Sequence, residues 1–139
     1  MRARLVTVVC FLVCLAIAIP MVAQQRAAAA DPLTGIWTGD WGPNAGDRNQ
    51  VSVDLKFDGK TELTGTVKTI GAPARPDVTL MKSTFMAATS AVHMEAEAKS
   101  PRGGSVVHFV IDGKLTGTSM VGSWNHDAVK GDFKLTKKN

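Results

Sequence analysis

The sequence contains no tyrosine, and its two cysteines, Cys10 and Cys14, both fall within the first fifteen residues. The rest of the chain therefore has no disulfide framework and no thiol chemistry, and its stability must come from packing. An excess of one charge is also lacking. The whole chain carries a formal +4, but Arg2, Arg4 and Arg26 all precede Asp31, and from Asp31 onward thirteen basic residues stand against twelve acidic ones. That balance, without a basic stripe interleaved with aromatics, argues against nucleic acid as a partner. No Gly-x-Ser-x-Gly elbow offers a hydrolase nucleophile, and no glycine-rich phosphate loop occurs. A single long apolar run is present, Leu5 to Ile19, and a helical apolar period is scarce after it.

That run carries the first positive reading. Arg2 and Arg4 precede fifteen uncharged residues, which is the layout of a signal peptide. The run is shorter than the ~20 residues that cross a bilayer core, and Pro20 follows it, so no membrane span is expected after cleavage. The small residues Ala28, Ala29 and Ala30 before Asp31 form the preferred cleavage region, and Ala23 is the alternative. Both cysteines follow a valine, which is not the small residue a lipid anchor requires. The expected organisation is a signal peptide and cleavage region over residues 1–30 and one domain over 31–139, exported to the periplasm or the medium.

Within that domain the apolar period is two, and turn residues recur at short spacing. Strands are expected over 33–41, 50–57, 61–69, 77–86, 91–98, 105–116, 119–126 and 131–137. In the first clear hairpin, Val51, Val53, Leu55 and Phe57 alternate with polar residues, and Leu55 is expected opposite Leu63. A turn at Gly117-Thr118 pairs Leu115 with Met120, Gly113 with Gly122 and Ile111 with Trp124, so that apolar meets apolar and glycine meets glycine. A loop around Pro101 would set Ala96 against Val107, Met94 against Phe109 and Val92 against Ile111. Gly65, Gly113 and Gly122 would let the sheet curl and leave room for bulky neighbours. The expected fold is all-β, an eight-stranded antiparallel up-and-down barrel, with a two-sheet β-sandwich as the alternative.

Leu33-Thr34-Gly35-Ile36-Trp37-Thr38-Gly39-Asp40, followed by Leu63-Thr64-Gly65-Thr66, resembles the opening segments of avidins, and Gly35-x-Trp37 is similar to the first-strand motif of lipocalins. The resemblance covers the first third of the domain and implies a small calycin-type barrel. It does not extend to a biotin site: Gly39, Pro43 and Val67 stand where avidins place an asparagine, a serine and a tyrosine. Trp41-Gly42-Pro43 and the stretch from Gly122 to Asp127 also resemble small exported bacterial proteins of uncharacterised function.

Two groups of residues could carry chemistry. His93, Glu95 and Glu97 share one strand face, with His108 expected between Glu95 and Asp127, a row that could hold a metal. A half-exposed strand carrying ion pairs is the plainer reading, and no metal or cofactor is assigned. The second group lies at the expected barrel mouth. His126 falls on the apolar face beside Trp124 and opposite Phe109, there to touch a ligand or to bond a carboxylate such as Asp40 or Asp127. Trp37 and Trp41 share a face, and Arg48 could reach across the mouth from the first loop.

A small-molecule binder with Trp41, Arg48, Trp124 and His126 as its ligand-binding residues is therefore the leading reading. The alternative is a non-catalytic structural or protein-interaction module of the cell envelope, its barrel filled by Trp37, Trp41, Phe57, Met94, Phe109, Met120 and Trp124. An enzyme ranks below both.

Overall fold

A computed structural model describes residues 31–71, 75–99 and 103–139. The expected signal peptide and its cleavage region lie outside the described residues. The regular elements are strands throughout: β1 (Gly35–Asn44), β2 (Asp47–Phe57), β3 (Glu62–Ile70), β4 (Val78–Thr79), β5 (Ser83–Met86), β6 (Ala91–Lys99), β7 (Val106–Thr116), β8 (Ser119–His126) and β9 (Val129–Lys137). No helix among the described residues is long and apolar enough to cross a membrane.

Every strand pairing is antiparallel, and the sheet closes where β9 returns to β1 and β2 pairs with β3. β4 and β5 both pair with β3 and occupy one position in the ring, so the nine segments form an eight-stranded closed barrel. The stretch expected as one strand over 77–86 is split because its inward phase changes. Val78 and Leu80 face inward before the break, Ser83 and Phe85 after it, so the bend at Met81 and Lys82 adds one residue in the manner of a bulge. The pairing bridges that break, with the Leu80 amide donating to the Gly65 carbonyl at 2.9 Å and the Met81 amide to the Glu95 carbonyl at 2.7 Å.

The β7–β8 register matches the sequence expectation at Ile111–Trp124, Gly113–Gly122 and Leu115–Met120. The glycine pair makes room for Phe133 on β9: a Cβ on either residue would stand 2.8 Å from that ring. Two other registers differ from expectation by two residues. Leu55 faces Gly65 rather than Leu63, and Ala96 faces Phe109 rather than Val107, which brings Met94 opposite Ile111 and Val92 opposite Gly113. A slip of two leaves every side chain on its expected face.

One end of the barrel, the base, is packed solid. Leu33, Trp37, Leu55, Leu63 and Met120 have no exposed surface, and Phe57 meets Phe85 edge to face at 5.5 Å. The residues before β1 fold over this end. The Trp37 indole donates to the Leu33 carbonyl at 2.8 Å, the Phe57 amide donates to Thr34 Oγ1 at 2.9 Å, and Lys137 Nζ donates to the Pro32 carbonyl at 3.2 Å. Asp31 Oδ1 accepts the amides of Leu33 and Thr34, each at 2.9 Å. Desolvation pushes the Asp31 carboxyl up, but the hydrogen bonds from Thr34 and Leu33, helped by Lys137, outweigh it and hold the carboxyl below its ordinary value.

Candidate functional site

The opposite end, the mouth, collects the C-terminal ends of β1, β3, β6 and β8 and the N-terminal ends of β2, β4, β7 and β9, a consequence of up-and-down topology. Here the interior is hollow. A cavity of about 1000 Å³ runs inward from the mouth to Leu80 and Met94. Side-chain volume explains it. The inward positions of β2, β3 and β6 that line it are Val51, Val53, Val67, Thr69, Ala96 and Ala98, too short to cross a ring of eight strands. The expectation that bulky inward residues could fill the barrel therefore fails at this end: Trp37, Phe57 and Met120 are spent on the base, while Trp41, Phe109 and Trp124 line one wall of the cavity.

That wall is a connected aromatic group. Trp41 meets Trp124 edge-on at 4.9 Å between ring centroids and Phe109 at 6.0 Å. His126 stacks on Trp124 at 5.8 Å, with 12° between the planes, and lies 4.8 Å from Phe109. The Trp124 indole donates to the Asp132 carbonyl at 3.2 Å. Gly131 lets it sit there, since a Cβ at that position would come within 2.7 Å of the Trp124 ring. Among the described residues His126 has one hydrogen-bonding side-chain neighbour, Asp127, with Nδ1 to Oδ2 at 3.4 Å, and Asp127 is almost fully exposed. The opposite wall is aliphatic apart from Thr69, so the cavity is largely apolar inside, with His126 and charged residues at its rim.

Three of the four expected site residues, Trp41, Trp124 and His126, thus come together along the cavity. Arg48 does not join them. Strand β2 begins at Asp47 rather than 50, and the first connection is only Ala45 and Gly46, so the Asp47-Arg48-Asn49 stretch is strand and not a loop over the mouth. Alternation then turns Arg48 to the outer surface. There its guanidinium clamps Asp40 and also donates to Asp132 at 2.7 Å. Its hydrogen bonds to the Asp40 and Asp132 carboxylates raise its pKa further, so it is a fixed cation that joins β1, β2 and β9 outside the cavity.

The polar row also lies on the outer surface. His93 Nδ1 stands 2.7 Å from Asp112 and Nε2 3.4 Å from Glu95, while His108 reaches Glu95 at 3.2 Å and Glu97 at 3.7 Å. The two-residue change in the β6–β7 register sets His108 opposite Glu97 where Glu95 was expected, although its side chain still reaches Glu95. The hydrogen bond to Asp112 raises the His93 pKa, with Glu95 adding to it against a smaller desolvation effect. Among the described residues no three His, Cys, Asp or Glu side chains converge closely enough to hold a metal. A second depression of about 360 Å³, lined by Ser123, Asn125, Lys130 and Asp132 outside the barrel, is shallow and open to solvent.

Sequence reading missed the charged residues Arg75, Asp77 and Lys99 at the cavity rim, and named Glu97 only as part of the outer polar row. They were accessible in principle, because an up-and-down barrel places the β3–β4 and β6–β7 connections at the same end as His126. No family model, no curated protein and no solved structure matches the chain.

Proposed function

We propose that this is an exported carrier that holds a small, largely apolar molecule inside the barrel, entered at the mouth and contacted by Trp41, Trp124 and His126. The observation that carries this reading is the interior cavity of about 1000 Å³, apolar on both walls. Pockets of ~300–1,000 Å³ with mostly apolar linings and a few placed polar groups are the usual form of small-molecule sites. A barrel serving only as a scaffold gains nothing from such a space, since unfilled apolar volume forfeits dispersion contacts. The likeness of Gly35-x-Trp37 to the lipocalin first strand accords with a ligand-carrying barrel, and the leader-like residues 1–30 support a location in the periplasm or the medium. Native mass spectrometry of the protein isolated from its own envelope tests the proposal. A retained small molecule is the expected result; a co-isolated protein with an empty barrel would favour the envelope-module alternative.

A further inference from the structure

The charges at the mouth specify the ligand further, on the basis of the carrier reading. All twelve side-chain carboxylates of the chain lie among the described residues, so each cation at the rim can be checked against every acid. Each of the two rim acids has a basic neighbour: Asp77 faces Lys68 at 3.5 Å and Glu97 faces His108 at 3.7 Å. The two rim bases, Arg75 and Lys99, have no carboxylate within ion-pair distance. The Leu80–Ala96 bridge, extended toward the mouth, sets Lys99 opposite Asp77, with Arg75 two residues before Asp77 on the same segment, so both cations line one side of the rim. Among the described residues the interior offers no comparable charge, so an ionic group on a ligand has one favourable place, at the opening.

We infer that the ligand is an amphiphile with a single anionic head group, its apolar body inside the barrel and its head between Arg75 and Lys99. Either an alkyl or an aromatic body meets the same recognition chemistry, since the cavity has one aliphatic and one aromatic wall. Exposed ion pairs are individually weak, so two of them give a preference of about tenfold for an anionic head over a neutral one at low salt.

Displacement of the neutral fluorophore N-phenylnaphthylamine by decanoate, decanol and decyltrimethylammonium reads this preference on a common tail, and naphthoate with naphthol reads it on an aromatic body. The expected order is acid over alcohol over ammonium in at least one series, and the series that shows it identifies the body. The double variant Arg75→Gln/Lys99→Gln should abolish the acid's advantage and leave alcohol binding and thermal unfolding unchanged. Equal binding of acid and alcohol in both series, or a preference for the ammonium, would overturn the head-group inference and leave the carrier reading standing. Failure of the fluorophore and of every probe to bind would remove the carrier reading and this inference together.

Discussion

The two ends of this barrel are built from the same strands with the same alternation, yet one is solid and the other hollow. At the base, Trp37, Leu55, Leu63 and Met120 meet in the centre under Leu33, and no surface of these residues is exposed. At the mouth the corresponding inward positions are Val51, Val53, Ala96 and Ala98 on one side and aromatics on the other, and the space between them stays open. The difference is therefore one of side-chain volume and of a covering segment, not of backbone. It separates the work of the domain: the base supplies the packing that a chain without disulfides needs after Asp31, and on the proposed carrier reading the mouth is left to bind.

The largest expected effect follows from that division. Trp37→Ala removes a fully buried indole and its hydrogen bond to the Leu33 carbonyl, so chemical denaturation should show a loss of ~3–5 kcal/mol. A loss no larger than at an equivalent mouth position would break the comparison.

His126→Ala probes the other end. Among the described residues its side chain has stacking partners but only one hydrogen-bonding neighbour, the exposed Asp127. Stability should fall by about 1 kcal/mol or less, in line with aromatic contacts worth ~0.5–1.5 kcal/mol, while fluorophore affinity at the mouth should drop several-fold. A loss of ~1–3 kcal/mol with unchanged binding would mark His126 as a structural plug.

Parity explains how much of this was legible in sequence. Alternation of period two fixes which side chains face inward, and it placed Trp41, Trp124 and His126 on the cavity face. It cannot detect a shift of two residues, because such a shift preserves every face. Only β7–β8, where glycine must oppose glycine beside Phe133, carried a mark that set its register. In the β2–β3 hairpin the turn decides instead. Asp58 Oδ1 accepts the amides of Lys60, Thr61 and Glu62 at 2.8, 2.9 and 3.0 Å, which lengthens the connection and moves Leu55 opposite Gly65. Those backbone bonds, that from Lys60 foremost, hold the Asp58 carboxyl below its ordinary value. Arg48 was misplaced for a related reason. Gly42, Pro43, Asn44 and Gly46 have the composition of a long loop, yet β1 continues to Asn44 through a register irregularity, and the strand parity of β2 turns Arg48 outward. The rim cations flank connections that have no periodicity to read.

The smallest expected effect lies on the outer wall, which both ends share. His93 gains a carboxylate partner in the folded state, and its pKa is raised above the ordinary 6.5. The folded protein therefore binds that proton more tightly than the unfolded chain. The resulting stabilisation is complete below about pH 6.5 and is lost as pH rises through the raised folded value. The side chains are largely exposed, so the contribution is ~0.2–1 kcal/mol at most. Thermal unfolding of the wild type and Asp112→Asn should differ in mildly acidic buffer and converge in alkaline buffer. A gap that persists unchanged would assign the effect of Asp112 to something other than the His93 proton.

Xenon binding to crystals of the domain tests the contrast between the ends most directly, because unfilled apolar cavities take up xenon. The account predicts xenon between the Trp41–Trp124 wall and the Val53–Met94 wall, and none around Trp37, Leu55 and Met120. Xenon in the base, or side chains found closing the mouth so that none enters, would contradict it.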